Sequence, residues 1–497
     1  MVRSEDSERG GGGRVGSKVD SGDSRWRLAW PFLASIAGLL VIVAVYVPGL
    51  GAGFFFDDFA DVVDNPASDP ARFLQALPTS VRPLLKLSYV ADAAAHGAWA
   101  PGYRAVNLLL HLLATALVWV LVRRAAVSEL GNRTGIWMAT VAAGLWALHP
   151  LAVESVTLVS GRSAPLSAVL MLAALALLTA HAPRRPTAHL VGAGTFVLLA
   201  VLARETAVVF PVLLLVWQLT VGPRRNRNGA VARQGVAWGA VALGALLLFA
   251  MPRHRELLAF SLQARGPLEA LRTNVQAVPA MLALWAQPWA TSIDPGVPPP
   301  HGWLNPVTLL FVALLLAAGV SFLALRRRWP LAALAVGWTL VCLAPTNSVI
   351  FRLDPIGPRG LYLASLGPAL ALAAILSLGY RLGAVAWGFS FGVTVAVAAA
   401  LALLTFGANQ RYQDPIALWK HAARYAPMRA RPHVNLAVAY ARAGQLGEAR
   451  RELETAVALE PWDAAARCML AGVRLQQEEV TQTNGGGERW CDASEEC

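Results

Sequence analysis

The stretch Phe54-Phe55-Phe56-Asp57-Asp58-Phe59 stands just past the end of the first long apolar run, 30–50. A run of about 20 apolar residues matches the hydrocarbon core of a bilayer. Three aromatics and two adjacent carboxylates therefore fall where a membrane helix emerges into water. Aromatic rings belong at that boundary. Paired carboxylates there are either a solvated helix end or a site of chemistry, and the rest of the chain decides between these.

Outward from this point, apolar runs recur at about 105–122, 136–149, 164–181, 188–202, 206–221, 235–251, 306–325, 330–345, 361–380 and 383–406. The chain of 497 residues is 56% hydrophobic and only 14% charged, against roughly 25% charged in soluble domains, and its mean hydropathy is +0.50. The expected fold is all-α: a polytopic membrane helix bundle over 29–406, followed by a short helical module. The net charge of +12 does not mark a nucleic-acid binder. The arginines sit in short clusters between apolar runs, the pattern of cytoplasmic loops.

Residues 1–28 read as a disordered cytoplasmic tail, polar and rich in Gly and Ser. The run after it is too long for a signal-peptide core, so it reads as an uncleaved anchor. With the N-terminus inside, the clusters at Arg123-Arg124, Arg184-Arg185, Arg224-Arg225 and Arg326-Arg327-Arg328 all face the cytoplasm if 274–290 does not span. Pro279, Pro288 and Pro295 favour an interfacial or re-entrant segment there. The expectation is eleven spans, a first external loop at 51–103 and an external C-terminus.

The chain after 406 changes character. Pro427 and Pro461 are 34 residues apart, the period of a tetratricopeptide repeat. Leu436, Ala437, Tyr440, Ala449, Leu453 and Ala456 fall between them at the signature positions, and Gly444 separates two helices. Trp419, Ala422, Leu470 and Ala471 continue the pattern on either side. We expect a tetratricopeptide-repeat module over 412–480 that binds a protein partner or acceptor, then a disordered tail at 481–497. Cys491 and Cys497 lie in that tail and would pair only in an oxidising compartment.

This topology gathers one polar set on the external face: Asp57, Asp58, Arg82, His149, Glu154, Arg162, Arg204, Glu205, Asp354 and Arg359. Taken singly, each has a plain structural reading as a snorkelling cation, a local ion pair or a wet loop. Together at span ends, ionisable groups mark a functional site. Asn107 and His111 share a helix face, where they either line the same cavity or bond between helices.

The ordered motifs resemble a known family. Asp57-Asp58, Asn65-Pro66, Arg82-Pro83-Leu84, Tyr89, Gly102-Tyr103 and Asn107 to His111 are similar to the first external loop of the transmembrane and tetratricopeptide-repeat (TMTC-like) proteins. These are GT-C glycosyltransferases related to the protein O-mannosyltransferases. His149-Pro150, Glu154 and Gly161-Arg162 match a second family pattern, and Pro345-Thr346-Asn347 with Arg359-Gly360-Leu361-Tyr362-Leu363 a third. The likeness runs from about 51 to 471. Arg204-Glu205 stands where the family often has Lys-Glu, and Pro358 where it has Glu before the arginine.

The resemblance implies transfer of a sugar, mannose being one candidate, from a polyprenyl-phosphate carrier with inversion. The acceptor is a protein Ser/Thr or a cell-envelope molecule on the non-cytoplasmic face. Such transfer needs a carboxylate to take the acceptor proton; Asp57 or Asp58 is the candidate. Arg82, Arg162, Arg204 and Arg359 carry the guanidinium chemistry that suits phosphate, with His149, Glu154 and Glu205 beside them in the donor site. The aspartate pair would also suit a divalent cation bridging that phosphate. The Ala/Arg/Gly-rich composition suggests a bacterial inner membrane. Two other classes fit less of the sequence: a non-catalytic scaffold acting through its repeats, and a transporter, for which no inverted pair of interrupted helices is visible.

The orientation is testable. With the four native cysteines replaced by serine, a cysteine introduced as Arg326→Cys is expected to react with a membrane-impermeant maleimide only after the cytoplasmic side is exposed; labelling in intact cells would overturn the eleven-span topology.

Overall fold

The computed structural model describes residues 21–180, 185–222, 227–296, 301–349, 354 and 356–482. Cys491, Cys497, Arg184, Arg224, Arg225 and most of the N-terminal tail lie outside these. Every regular element among the described residues is helical. The helices of ten residues or more are α1 (Ser21–Leu50), α2 (Pro83–His96), α3 (Ala100–Leu130), α4 (Asn132–Ala147), α5 (Ser163–Leu178), α6 (Pro186–Ala203), α7 (Phe210–Thr220), α8 (Arg227–Ala250) and α9 (Pro252–Ala264). They continue as α10 (Pro267–Ala286), α11 (Pro306–Leu325), α12 (Pro330–Leu343), α13 (Leu366–Leu382), α14 (Ala384–Arg411), α15 (Pro415–Tyr425), α16 (Ala430–Arg442), α17 (Leu446–Leu459) and α18 (Ala464–Gln482).

Punctuation in the sequence explains the boundaries. Many helices begin with proline in the first turn, α2, α6, α8's successor α9, α10, α11, α12 and α15 among them, where the missing N–H is not needed. Gly131 adopts φ +82° between α3 and α4, a conformation that costs an L-residue its Cβ clearance. Four residues on, a Cβ on Gly135 would meet Val127 N at 2.6 Å. The α3–α4 hairpin is thus closed by two glycines with different tasks.

Six helical stretches among the described residues are long and apolar enough to cross a membrane, and they include α3, α6, α11 and α14. Shorter apolar helices cover Ile36–Leu50, Glu205–Thr220, Pro330–Leu343 and Leu366–Leu382. The protein is an integral multi-pass membrane protein. The run 136–149 ends in a bend: α4 stops at Ala147, and Pro150–Thr157 leaves it at 53°. Proline cannot donate into the ladder, and His149 caps the new turn by accepting the Leu151 N–H at 3.2 Å. The stretch 274–290 falls mostly in α10, which carries Pro279 inside it and buries polar Asn274 and Gln276. The last apolar helix runs past 406 to Arg411.

In the bundle, α3, α4, α13, α12, α7, α8, α6 and α5 follow one another as packed neighbours, with α5 returning to α3; α1 lies along α14. Apolar burial gives helices little reason to associate inside lipid, so close packing and interhelical hydrogen bonds carry more of the specificity. Alanines and glycine line the α3–α4 contact, and Ala125, Ala126, Ala139 and Ala142 are essentially inaccessible. Asn409 of α14 donates to Val45 O of α1 at 3.0 Å, and Thr405 donates to Leu148 O at 2.6 Å. Contacts of this kind average about 0.6 kcal/mol each in membranes. They fix the turn at 148–157 against α1 and α14.

The loop 51–103 is folded. It holds short turns at Phe59–Val63 and Pro66–Ser68, then α2. Helices α15 to α18 pack in chain order around Trp419, Ala422, Leu436, Ala437, Tyr440, Ala449, Leu453 and Leu470. Phe56 and Ile293, from the membrane part, pack against that same cluster.

Candidate functional site

Three interruptions of the bundle meet around Arg359, which lies in the short helix Pro358–Leu361. Its Nη2 donates to Asp57 Oδ2 at 2.9 Å and its Nε to Glu154 Oε1 at 2.6 Å. One guanidinium thus bridges the first loop and the turn after α4. Arg204 stands next to it, with Nη1 on Ser163 Oγ at 3.2 Å and Nη2 on Arg359 O at 3.3 Å. Glu205 turns away from Arg204 and takes Arg82 Nε at 3.1 Å. The plain alternative of a local Arg204-Glu205 ion pair is not what forms: these adjacent residues at the α6 terminus point to different partners.

A cleft opens beside these groups. Arg204, Thr206, Thr346 and Arg359 form its polar end, and Ala168, Met171, Val209, Cys342 and Leu363 its apolar walls. A second, smaller cavity lies beyond Glu154, between Pro150, Thr291 to Ile293, Tyr412, Leu418 and His421. Glu154 Oε2 is buried without a hydrogen-bond partner.

The two aspartates have separate surroundings. Asp57 keeps 39% of its side chain exposed. Asp58 is 0% exposed. Its Oδ1 accepts the Ser160 N–H at 2.8 Å, its Oδ2 the Phe55 N–H at 3.5 Å, and Arg104 Nη2 lies 3.8 Å away. Burial pushes Asp58 up to about 6, against the pull of the Ser160 amide and the Arg104 charge. The carboxylates face different partners, so they do not fit a cation shared between them. Among the described residues no three His, Cys, Asp or Glu side chains gather as a metal site.

Several expected site residues prove to hold the fold. Arg162 does not reach the interface: it is fully buried and donates to Asn107 Oδ1 at 2.6 Å, Ser88 O at 3.2 Å, Tyr103 O at 2.9 Å and the Asp92 carboxylate. With its donors committed inside the protein, it is not placed to meet a phosphate. His149 is taken up by Leu151 N and Trp285 O. Asn107 holds the carbonyls of Val156 and Leu158 at 3.2 Å, and His111 bonds Tyr362 Oη at 2.7 Å and Ala147 O at 3.1 Å. These are contacts between helices and turns. Asp354 faces Arg431 at 2.6 Å rather than Arg359.

Other important residues escaped the sequence reading. Arg104 is fully buried and ties the carbonyls of Ala52, Gly53 and Thr157 together beside Asp58. Its spacing to Asn107 and His111 puts all three on one helix stripe, which was a usable signal. His254, 3.8 Å from Glu205, had none. The backbone adds a further mark. Phe56 and Arg82 are the described non-glycine residues with positive φ, at +54° and +57°. Left-handed backbone is disfavoured by about 1–2 kcal/mol for an L-residue, and such strain concentrates at functional sites. One of these residues precedes Asp57 and the other is the partner of Glu205.

No family model matches the chain. Among curated proteins it is similar to the protein O-mannosyl-transferase Tmtc1 of Drosophila melanogaster, 31% identical over 195 residues, which are 35% of this chain and 22% of the relative. It is also similar to Tmtc2 of the same organism, 29% identical over 249 residues, 45% of this chain and 24% of the relative. Human protein O-mannosyl-transferase TMTC3 is 29% identical over 149 residues, 27% of this chain and 15% of the relative. The matched part thus spans less than a quarter of each of these relatives. The chain resembles the TMTC O-mannosyltransferases, the family to which its motifs point. Solved structures with a related course include the oligosaccharyltransferase AglB of Archaeoglobus fulgidus, in complex with an inhibitory peptide and a dolichol-phosphate (TM-score 0.41, 15% identity, 78% of this chain and 56% of that one). Another is ArnT of Cupriavidus metallidurans, bound to undecaprenyl phosphate (TM-score 0.40, 16% identity, 87% and 76%).

Below the ordinary value of 3.8, where Asp58 stabilises fully, Asp58→Asn is expected to lower thermal stability by about 1–3 kcal/mol, the cost of a buried polar group losing its partner, while Asp57→Asn leaves the melting temperature almost unchanged. The raised Asp58 value also fixes a sign. Its contribution to stability is fully present below the ordinary value of 3.8 and is lost as pH rises through about 6. Melting curves across that window should flatten in Asp58→Asn; an unchanged slope would contradict the assignment.

Proposed function

We propose that the protein is a membrane glycosyltransferase that takes a sugar from a polyprenyl phosphate and transfers it, with inversion, to an acceptor hydroxyl. The observation that carries this reading is the pairing of the half-exposed Asp57 carboxylate with Arg359, which itself lines the polar end of a cleft with apolar walls. The apolar walls suit an isoprenoid chain, and the polar end suits its phosphate.

In this reading Asp57 is the base. It takes the proton of the acceptor hydroxyl as the oxygen attacks the anomeric carbon, and the bond from that carbon to the phosphate oxygen breaks on the opposite face. The leaving phosphate needs charge more than it needs a proton. Arg204 and Arg359 lie at the cleft, and planar guanidinium donors suit phosphate oxygens. Arg82 stays with Glu205 and shapes the neighbouring wall. Asp58 holds the loop and takes no part in proton transfer.

The acceptor, a protein Ser/Thr or a cell-envelope molecule, approaches through the cavity beyond Glu154. The site faces the non-cytoplasmic side of a bacterial inner membrane, with 1–28 in the cytoplasm and the helices of 412–480 as an external tetratricopeptide-repeat module binding acceptor or partner. The curated relatives are named for mannosyl transfer, so mannose is the first sugar to test.

Purified protein given a panel of polyprenyl-phosphate sugars should transfer one of them to hydroxyl acceptors. Asp57→Asn should reduce the rate about 10²- to 10⁴-fold, the usual contribution of a general base, with binding of the lipid donor retained. Transfer at the wild-type rate in Asp57→Asn would remove Asp57 from the role.

A further inference from the structure

The three phenylalanines before Asp57 go to three different places. Phe54 meets Tyr103 of α3 with ring centroids 5.4 Å apart, and Phe55 meets Tyr412 at 5.7 Å. Phe56 meets Trp419 of α15 at 5.0 Å, edge to face at 70°. Phe56 also carries the left-handed backbone, φ +54°, and it is bonded directly to Asp57. A residue in that conformation stays there only when its surroundings hold it. Phe56 packs against both the core of the membrane part and the C-terminal cluster, and the ring it meets edge to face, Trp419, belongs to the C-terminal helices.

The contact is built into those helices. Trp419 is 4% exposed, and Phe56 packs against the cluster formed by Trp419, Leu436 and Tyr440. Next along the loop, the Arg442 guanidinium of α16 lies over Phe59 at 5.7 Å. Farther out, Arg429 and Arg431 grip the buried Asp294 at 2.6 Å each, and Arg431 also grips Asp354 at 2.6 Å. The module is therefore clamped by charge at one edge and meets the Asp57 loop through aromatic contact at another.

We propose that Trp419 is a positioning residue for Asp57, acting through Phe56, so that the C-terminal helices complete the transfer site as well as binding partners. This rests on Asp57 being the base, as proposed above. Arg359 fixes the Asp57 carboxylate from the membrane side; the Phe56–Trp419 contact fixes the backbone that carries it. An error of about 1 Å in placing a reacting group costs on the order of 100-fold in rate.

The test uses the full chain in nanodiscs. Trp419→Ala should lower kcat about 10- to 100-fold with KM for the lipid donor unchanged, and Trp419→Phe should restore most of it, because an aromatic edge remains for Phe56. Hydrogen–deuterium exchange supplies a readout that needs no activity: exchange over 55–59 should rise in Trp419→Ala while α4 and α17 stay protected. Should Trp419→Ala unfold the C-terminal helices, Phe56→Leu makes the same test from the loop side and leaves their core intact. Wild-type kcat together with unchanged exchange at 55–59 would overturn the proposal. If the wild type transfers no sugar from any donor, the functional reading fails, and the exchange data alone decide whether Trp419 holds the loop.

Discussion

The membrane face of this protein depends on one buried carboxyl group. Asp58 receives the amides of Ser160 and Phe55 and sits beside Arg104. Those contacts fasten the end of α1 to the turn at 148–163 and to the start of α3. A carboxyl group taken out of water must be answered by hydrogen-bond partners, and these three chain segments bring them to it. With the loop pinned at Asp58, the residue before it is left at the surface. Asp57 and Asp58 are neighbours in sequence with opposite tasks, one holding the backbone and one meeting the solvent.

Arginines follow the same division. Arg104 and Arg162 spend their donors on carbonyls, Asn107 and Asp92 inside the protein. Each acts as a many-pronged bolt between segments that lack regular hydrogen bonds to one another. Irregular backbone at membrane depth survives only when such groups satisfy it. Arg204 and Arg359 themselves line a cleft, where in the proposed reaction a donor phosphate would compete with their present partners.

Much of this was legible in the chain. Apolar runs gave the helices, and prolines gave their starts. Of the ten residues of the polar set, Asp57, Glu154, Arg359, Arg204, Glu205 and Arg82 come together through loops far apart in sequence, while Asp58, His149, Arg162 and Asp354 have other partners. Sequence could not sort them. Arg162 and Arg359 look alike as letters after a helix break, and only burial separates the committed one from the available one. Nor could spacing show that Asp354 answers Arg431, 77 residues away, or that Phe56 reaches Trp419, because those pairs form between segments far apart in the chain. The bend after α4 falls where the apolar run 136–149 ends, and Pro150 marks it.

The bridging geometry of Arg359 bears on the chemistry. Its guanidinium serves Asp57 and Glu154 at once, so two negative charges share one positive charge. In the proposed transfer, Asp57 becomes neutral when it takes the acceptor proton. The Nη2 donor of Arg359 is then released at the moment negative charge builds on the departing phosphate, and Glu154 keeps the guanidinium in place through Nε. Electrostatic stabilisation is most effective when it meets charge that develops in the transition state rather than charge already present. An arginine shared between the base and a fixed carboxylate ties proton uptake at one end of the site to charge stabilisation at the other. An arginine paired to the phosphate alone would not couple the two events.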